Sequence, residues 1–96
     1  VSSNFVIGEI AYIGVTIEDG SLALADPGAL RLKAKAPDGS VTTQAIGSGV
    51  VKDTVGVYHG FIPLNQSGTW SYRWESDAPN AGAVEGTLTV AKSKVA

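Results

Sequence analysis

The side chains able to do chemistry in this chain are few and scattered. His59 is the only imidazole, and cysteine is absent. No disulfide, thiolate zinc centre, iron–sulfur cluster, cysteine nucleophile or two-imidazole site can therefore be built. Hydrolysis by paired carboxylates would need two acids held together in a cleft with their acidities driven apart. The acids here punctuate turns instead: Asp19 and Asp38 precede glycine, Asp26 precedes proline, and Asp53 and Asp77 fall in polar connections. Aspartate is common in such places because its side chain bonds the neighbouring backbone. No Asp-x-Asp-x-Asp-Gly calcium loop occurs; a weaker calcium or sugar site assembled from separate loops stays open. The serines lie in Gly-Ser-Gly and turn contexts with no Gly-x-Ser-x-Gly elbow, so nothing pairs an activated hydroxyl with His59. The expectation is no catalytic residue, no metal and no cofactor.

Three patterns remain that could carry binding. Arg31, Lys33 and Lys35 recur at every second position, which puts three positive charges on one face of one strand, with Lys52 and Arg73 as possible neighbours. Such a row is an ordinary solvated face, a charge guard on a sheet edge, or a contact for an acidic protein surface. Trp70, Tyr72 and Trp74 form a second row, either a sugar-stacking platform or a core wall. The opposite parity of that strand is Thr69, Ser71, Arg73 and Glu75, which suits water, so the aromatic row is expected to face the core. The third pattern is the apolar pair Phe5 and Val6 after the polar start Val1-Ser2-Ser3-Asn4, an arm able to order on a neighbour or else an edge strand. Phe5, Val6, Arg31, Lys33 and Lys35 are thus the candidate partner contacts. His59, opposite in parity to Tyr58 and Ile62, is expected to face solvent or an interface.

The elements that must position these residues read as strands. In 96 residues, 44% of them hydrophobic, one core is feasible and two are not. Nine acids against seven bases give a formal charge of −2, which argues against a nucleic-acid binder. No apolar run is long enough for a membrane helix, and the N-terminus lacks the basic start and apolar run of a signal peptide. A soluble, unprocessed chain is expected, although a start at Val1 fits equally a removed initiator methionine or an excised leader. Ala11, Ile13, Val15 and Ile17 alternate with polar or small residues up to Asp19-Gly20; Leu30, Leu32, Ala34 and Ala36 alternate with the basic row. Pro37-Asp38-Gly39-Ser40 is a turn into Val41 to Ile46. Gly47-Ser48-Gly49 ends that strand, and a short one over Val50 to Lys52 precedes Val57 to Leu64, where Pro63 lacks a donor and calls for an edge or bulge. The Trp70 strand and Val84 to Val90 follow. Seven or eight short strands with this spacing predict an all-β, immunoglobulin-like antiparallel β-sandwich. The expected organisation is an arm or edge strand over residues 1–6, one domain over 5–90 and a flexible tail over 91–96.

Taken together, Phe5-x-Ile7-Gly8-Glu9, the Asp26-Pro27 turn, the strand ending Ala36-Pro37-Asp38-Gly39-Ser40, Gly56-x-Tyr58 and Gly68-Thr69-Trp70-Ser71-Tyr72-Arg73-Trp74 resemble a recurrent small domain. It is similar to the short immunoglobulin-like proteins encoded among head and tail genes of tailed bacteriophages and prophages; macroglobulin-like and other bacterial immunoglobulin-like modules share the Pro-Asp-Gly turn and the Gly-Thr-Trp strand. The resemblance implies a structural or decorating role in the virion, with capsid or tail proteins in multiple copies as partners, weak self-association at most when isolated, and no enzymatic activity. The alternative is a binding module of a secreted or surface protein, with carbohydrate as one candidate ligand.

Overall fold

A computed structural model describes residues 5–92 and Val95. Residues 1–4 of the expected arm, and 93, 94 and 96 of the expected tail, lie outside the described residues. The described residues form eight strands and no helix: β1 (Phe5–Val6), β2 (Ile10–Thr16), β3 (Leu30–Lys35), β4 (Val41–Ile46), β5 (Gly49–Thr54), β6 (Val57–Pro63), β7 (Gly68–Ser76) and β8 (Gly82–Ala91). They bond in one continuous order, β1-β8-β7-β3-β4-β5-β6-β2. The two ends of that order are brought together by the Ile7–Glu9 link, whose backbone bonds Ala91 on one side and Leu64 on the other. The sheet is thereby curled almost into a barrel.

The alternation read in the sequence sets which face is buried. Leu30, Leu32 and Ala34 of β3, Trp70 and Trp74 of β7, and Leu88 and Val90 of β8 form one wall of the core. Ala11 and Ile13 of β2, Tyr58 and Ile62 of β6, and Val50 of β5 form the other. Trp74 is the largest fully buried side chain, so the aromatic row is core and not a sugar platform. Trp70 is also buried and donates its indole N–H to the Gln66 carbonyl at 2.9 Å.

Four expectations need correction. The pairing is not wholly antiparallel: β1 runs parallel to β8, and β4 bridges β5 in parallel through Ala45–Gly49 and Ile46–Val50. The second case arises because the chain does not reverse after β4 but steps across to the other wall. Gly49 enables the step, with φ +107° and a position where a Cβ would lie 2.9 Å from the Gln44 side chain. Second, β5 extends to Thr54, so Asp53 is a strand residue and not part of a connection. Third, β8 spans Gly82–Ala91, longer at both ends than predicted, because the nine residues of β7 offer it a ladder partner along their whole length. Fourth, β3 is interior, flanked by β4 and β7, so its basic row guards no edge.

The long connection between β2 and β3 is tied down by a side chain that the sequence reading left to turn duty. Asp26 accepts from the Tyr58 hydroxyl at 2.8 Å, the Gly56 amide at 3.0 Å and Lys52 Nζ at 2.7 Å. The Lys52 bond, reinforced by the Gly56 amide and Tyr58 hydroxyl, lowers the Asp26 pKa to about 2. Burial and the neighbouring carboxylate push Tyr58 up to about 12.

Candidate functional site: an aromatic outer face

On β2 and β6 both parities carry apolar groups. The inward set makes the core; the outward set is Ile10 and Tyr12 on β2 and Phe61 and Pro63 on β6, brought side by side by the Ile10–Pro63 and Tyr12–Phe61 pairings. Ile10 is 63% exposed, Tyr12 60%, Phe61 44% and Val51, on the neighbouring β5, 48%. A cluster of exposed large apolar side chains on one small sheet face is the kind of surface that marks an interaction site.

The rings are organised. Tyr12 stacks on His59 with centroids 4.7 Å apart and planes 23° from parallel. Phe61 meets both edge-on, at 5.6 Å from Tyr12 and 5.3 Å from His59. Tyr12 reaches His59 across Gly14, the residue directly opposite His59, which has no side chain to block the approach. His59 Nδ1 lies 2.8 Å from Asp53 Oδ2. A bulge supplies that carboxylate: Lys52 pairs with Tyr58 and Thr54 with Val57, leaving Asp53 unpaired and re-aimed toward the imidazole. With a side chain 14% exposed, His59 is on the outer face, as its parity requires, but covered by its neighbours. Below the rings the backbone is fixed by Gln44, whose amide donates to the Phe61 carbonyl at 2.6 Å where β5 no longer pairs with β6.

The expected contacts fall elsewhere. Phe5 is half-buried against the core opposite Val90, so the described part of the N-terminal segment is docked on its own domain, while Val6 is exposed. Arg31 and Lys33 do share the outer face of β3, and Arg73 joins them directly opposite Lys33. Like charges so placed repel, and Glu75 relieves them. It contacts Arg73 at 2.8 Å, Lys33 at 3.2 Å and Arg31 at 3.3 Å. Arg73, with Lys33, lowers the Glu75 pKa to about 2. Asp77 takes the other side of the Arg31 guanidinium at 3.0 Å, and Glu85 takes Arg73 at 3.0 Å. Lys52 is remote from this row, on β5 with Asp26. Lys35 stands beside this network, opposite Val41 and Ser71.

Among the described residues no group of three or more His, Asp or Glu side chains could hold a metal ion. Among the described residues no serine or threonine hydroxyl bonds the Asp53–His59 pair. The sequence signal for the aromatic face was the run Ile10-Ala11-Tyr12-Ile13, apolar at both parities, which an amphipathic strand would not need. No family model, curated protein or solved structure matches this chain.

Proposed function

We propose that this protein is a non-enzymatic interaction domain of a phage particle, a capsid decoration or head-tail or tail accessory protein, docked through the Tyr12–His59–Phe61 face. The observation that carries the docking role is the exposed apolar cluster on β2 and β6; the particle is what the motif resemblance supplies. An immunoglobulin-like sandwich is the finer reading of the fold. It is supported by the strand sets β8-β7-β3-β4 and β2-β6-β5, whose orders match the G-F-C-C′ and B-E-D sheets of such domains. Many copies on a lattice make a modest single contact sufficient. Arg31, Lys33 and Lys35 are secondary contacts in this reading, and Phe5 and Val6 act mainly by closing the domain.

The test is co-sedimentation of purified particles with the wild-type chain and with Tyr12→Asp, together with the position of the reading frame relative to capsid and tail genes. Binding lost in the variant, with the fold intact, is expected. Undiminished binding would remove the face from the interface. A second reading is favoured by the Tyr12 ring alone, which keeps one face on His59 and is 60% exposed, a geometry suited to stacking on a pyranose. A glycan screen in which wild type binds and Tyr12→Ala does not would select that reading.

A further inference from the structure

The outer face of β8-β7-β3-β4 holds a trough of about 540 Å³ beside the charged network, within the size range of clefts that take small ligands. The strand register explains it. Val41, Lys35, Ser71 and Thr87 stand opposite one another in a row across β4, β3, β7 and β8. Lys33, Arg73 and Glu85 form the next row on the same face. Glu75, one row further on, draws the Lys33 ammonium and the Arg73 guanidinium to itself. Both heads therefore lean away from Ser71, and their stems wall a trough whose floor is the short side chains of Ser71 and Thr87.

Three polar groups in that row are left to a ligand. Arg31, Lys33 and Arg73 are matched in charge by Glu75, Asp77 and Glu85, whereas Lys35 has no carboxylate partner among the described residues. The Ser71 and Thr87 hydroxyls likewise make no hydrogen bond among the described residues. Lys35 and Ser71 belong to β3 and β7, both interior strands, so the centre of the trough lies within the sheet and away from its edges.

We propose that this trough binds an acidic saccharide, its carboxylate on Lys35 and Ser71 and its ring hydroxyls along Thr87. One uncompensated ammonium matches a single carboxylate, and a charged acceptor strengthens the bonds it takes from ammonium and hydroxyl donors. The Ser71 and Thr87 hydroxyls both donate and accept, as sugar hydroxyls do. Val41, 57% exposed, and the aliphatic stems of Lys33 and Lys35 supply apolar contact for the C–H side of a ring. An acidic peptide fits less well, because β3 and β7 are bonded on both sides and offer its main chain no partner. The ligand leaves the ion pairs around Glu75 whole. This site is separate from the Tyr12–Phe61 face and stands whether or not that face docks on a particle.

The test titrates the isotope-labelled full chain with the trimer of galacturonic acid, the same trimer fully methyl-esterified, inorganic phosphate, and the peptide Gly-Glu-Gly-Glu. Saturable amide shifts centred on Lys35, Ser71 and Thr87 are expected with the acidic trimer. The uncharged ester on the wild-type chain, and the acidic trimer on Lys35→Gln, should each bind about fivefold more weakly, the scale of one exposed ion pair. Ser71→Val, which fills the floor and removes a hydroxyl, should abolish the shifts, and Lys35→Arg should retain them. Both positions are exposed, and unchanged thermal melts check that the variants fold. No saturable shift, equal binding of acid and ester, equal or tighter binding of phosphate or peptide, or shifts centred on Tyr12 and Phe61 would overturn the proposal.

Discussion

On the outer face of β8-β7-β3-β4 six charged side chains satisfy one another, with Lys35 beside them. On the outer face of β5-β6-β2 the exposed groups are rings and branched chains, with Asp53 and His59 between them. Three bases, Arg31, Lys33 and Arg73, meet three acids, Glu75, Asp77 and Glu85, so the first network is neutral as a unit. A partner that covered it would have to desolvate pairs that are already made, an exchange that gains little. The second face keeps Ile10, Tyr12 and Phe61 in water, and covering them releases that contact. The contrast teaches that a row of charge in a sequence is weaker evidence for a binding surface than an apolar row that no core requires.

The largest expected effect would break the comparison by removing what both faces rest on. Trp74→Ala should destabilise the domain by about 3 to 5 kcal/mol, the cost of emptying a large aromatic site, and both faces should lose order together in a urea titration followed by fluorescence and amide exchange. Loss of order on one side alone would mean that the walls are independent.

Next come the rings themselves. Tyr12→Asp or Phe61→Asp should weaken binding to particles by about 2 kcal/mol or more if these are anchoring residues, while each exposed substitution moves stability by about 1 kcal/mol or less. Parallel binding isotherms and thermal melts check the separation. An equal loss in both measurements would assign the rings to folding.

Acid sharpens the contrast from the charged side. The Glu75 and Asp26 carboxyls sit near 2 in the folded chain, below their ordinary values of 4.5 and 3.8. Their stabilisation is therefore fully present above the ordinary values and is lost as pH falls through about 2. Urea midpoints should be flat between about pH 5 and about pH 10 and decline below that range, and Glu75→Gln and Asp26→Asn should each flatten part of the acid decline. The alkaline limb has the opposite sign. Tyr58, raised from 10.0 to about 12, contributes stability that is present below pH 10 and lost as pH rises through 12, and Tyr58→Phe should remove that slope.

The smallest effect is expected from the basic row. Lys33→Glu with Lys35→Glu should change particle binding by about fivefold or less, the scale of exposed ion pairs, and mainly in its salt dependence. A larger loss than that caused by Tyr12→Asp would reverse the ranking of the two faces.

Much of the fold was legible residue by residue. Leu30, Leu32 and Ala34 alternate with Arg31, Lys33 and Lys35, and that period assigned the buried face of β3 before any partner was known. Pro37-Asp38-Gly39-Ser40 likewise marked its turn, where Asp38 accepts from the Ser40 amide and hydroxyl. The candidate site was legible only in part. The outward Tyr12 looked like one aromatic residue on a half-polar strand, because Phe61 and His59 lie some fifty positions away and become its neighbours only through the β2–β6 register. Asp53 was misplaced in a connection because a bulge has no propensity signature strong enough to read locally.

What the sequence determined by itself is the set of strands, their inward faces and the burial of Trp70 and Trp74, since these follow from a two-residue period and from the scarcity of other large hydrophobes. Only the tertiary structure decided that β3 is interior, that Glu75 gathers three cations, and that Asp26 ties a long loop to Tyr58. The physical reason is range. Side-chain alternation is a property of one strand and is encoded locally, whereas charge pairing, edge exposure and ring stacking depend on which strand lies next to which, and strand order is settled by the packing of the whole chain around one core.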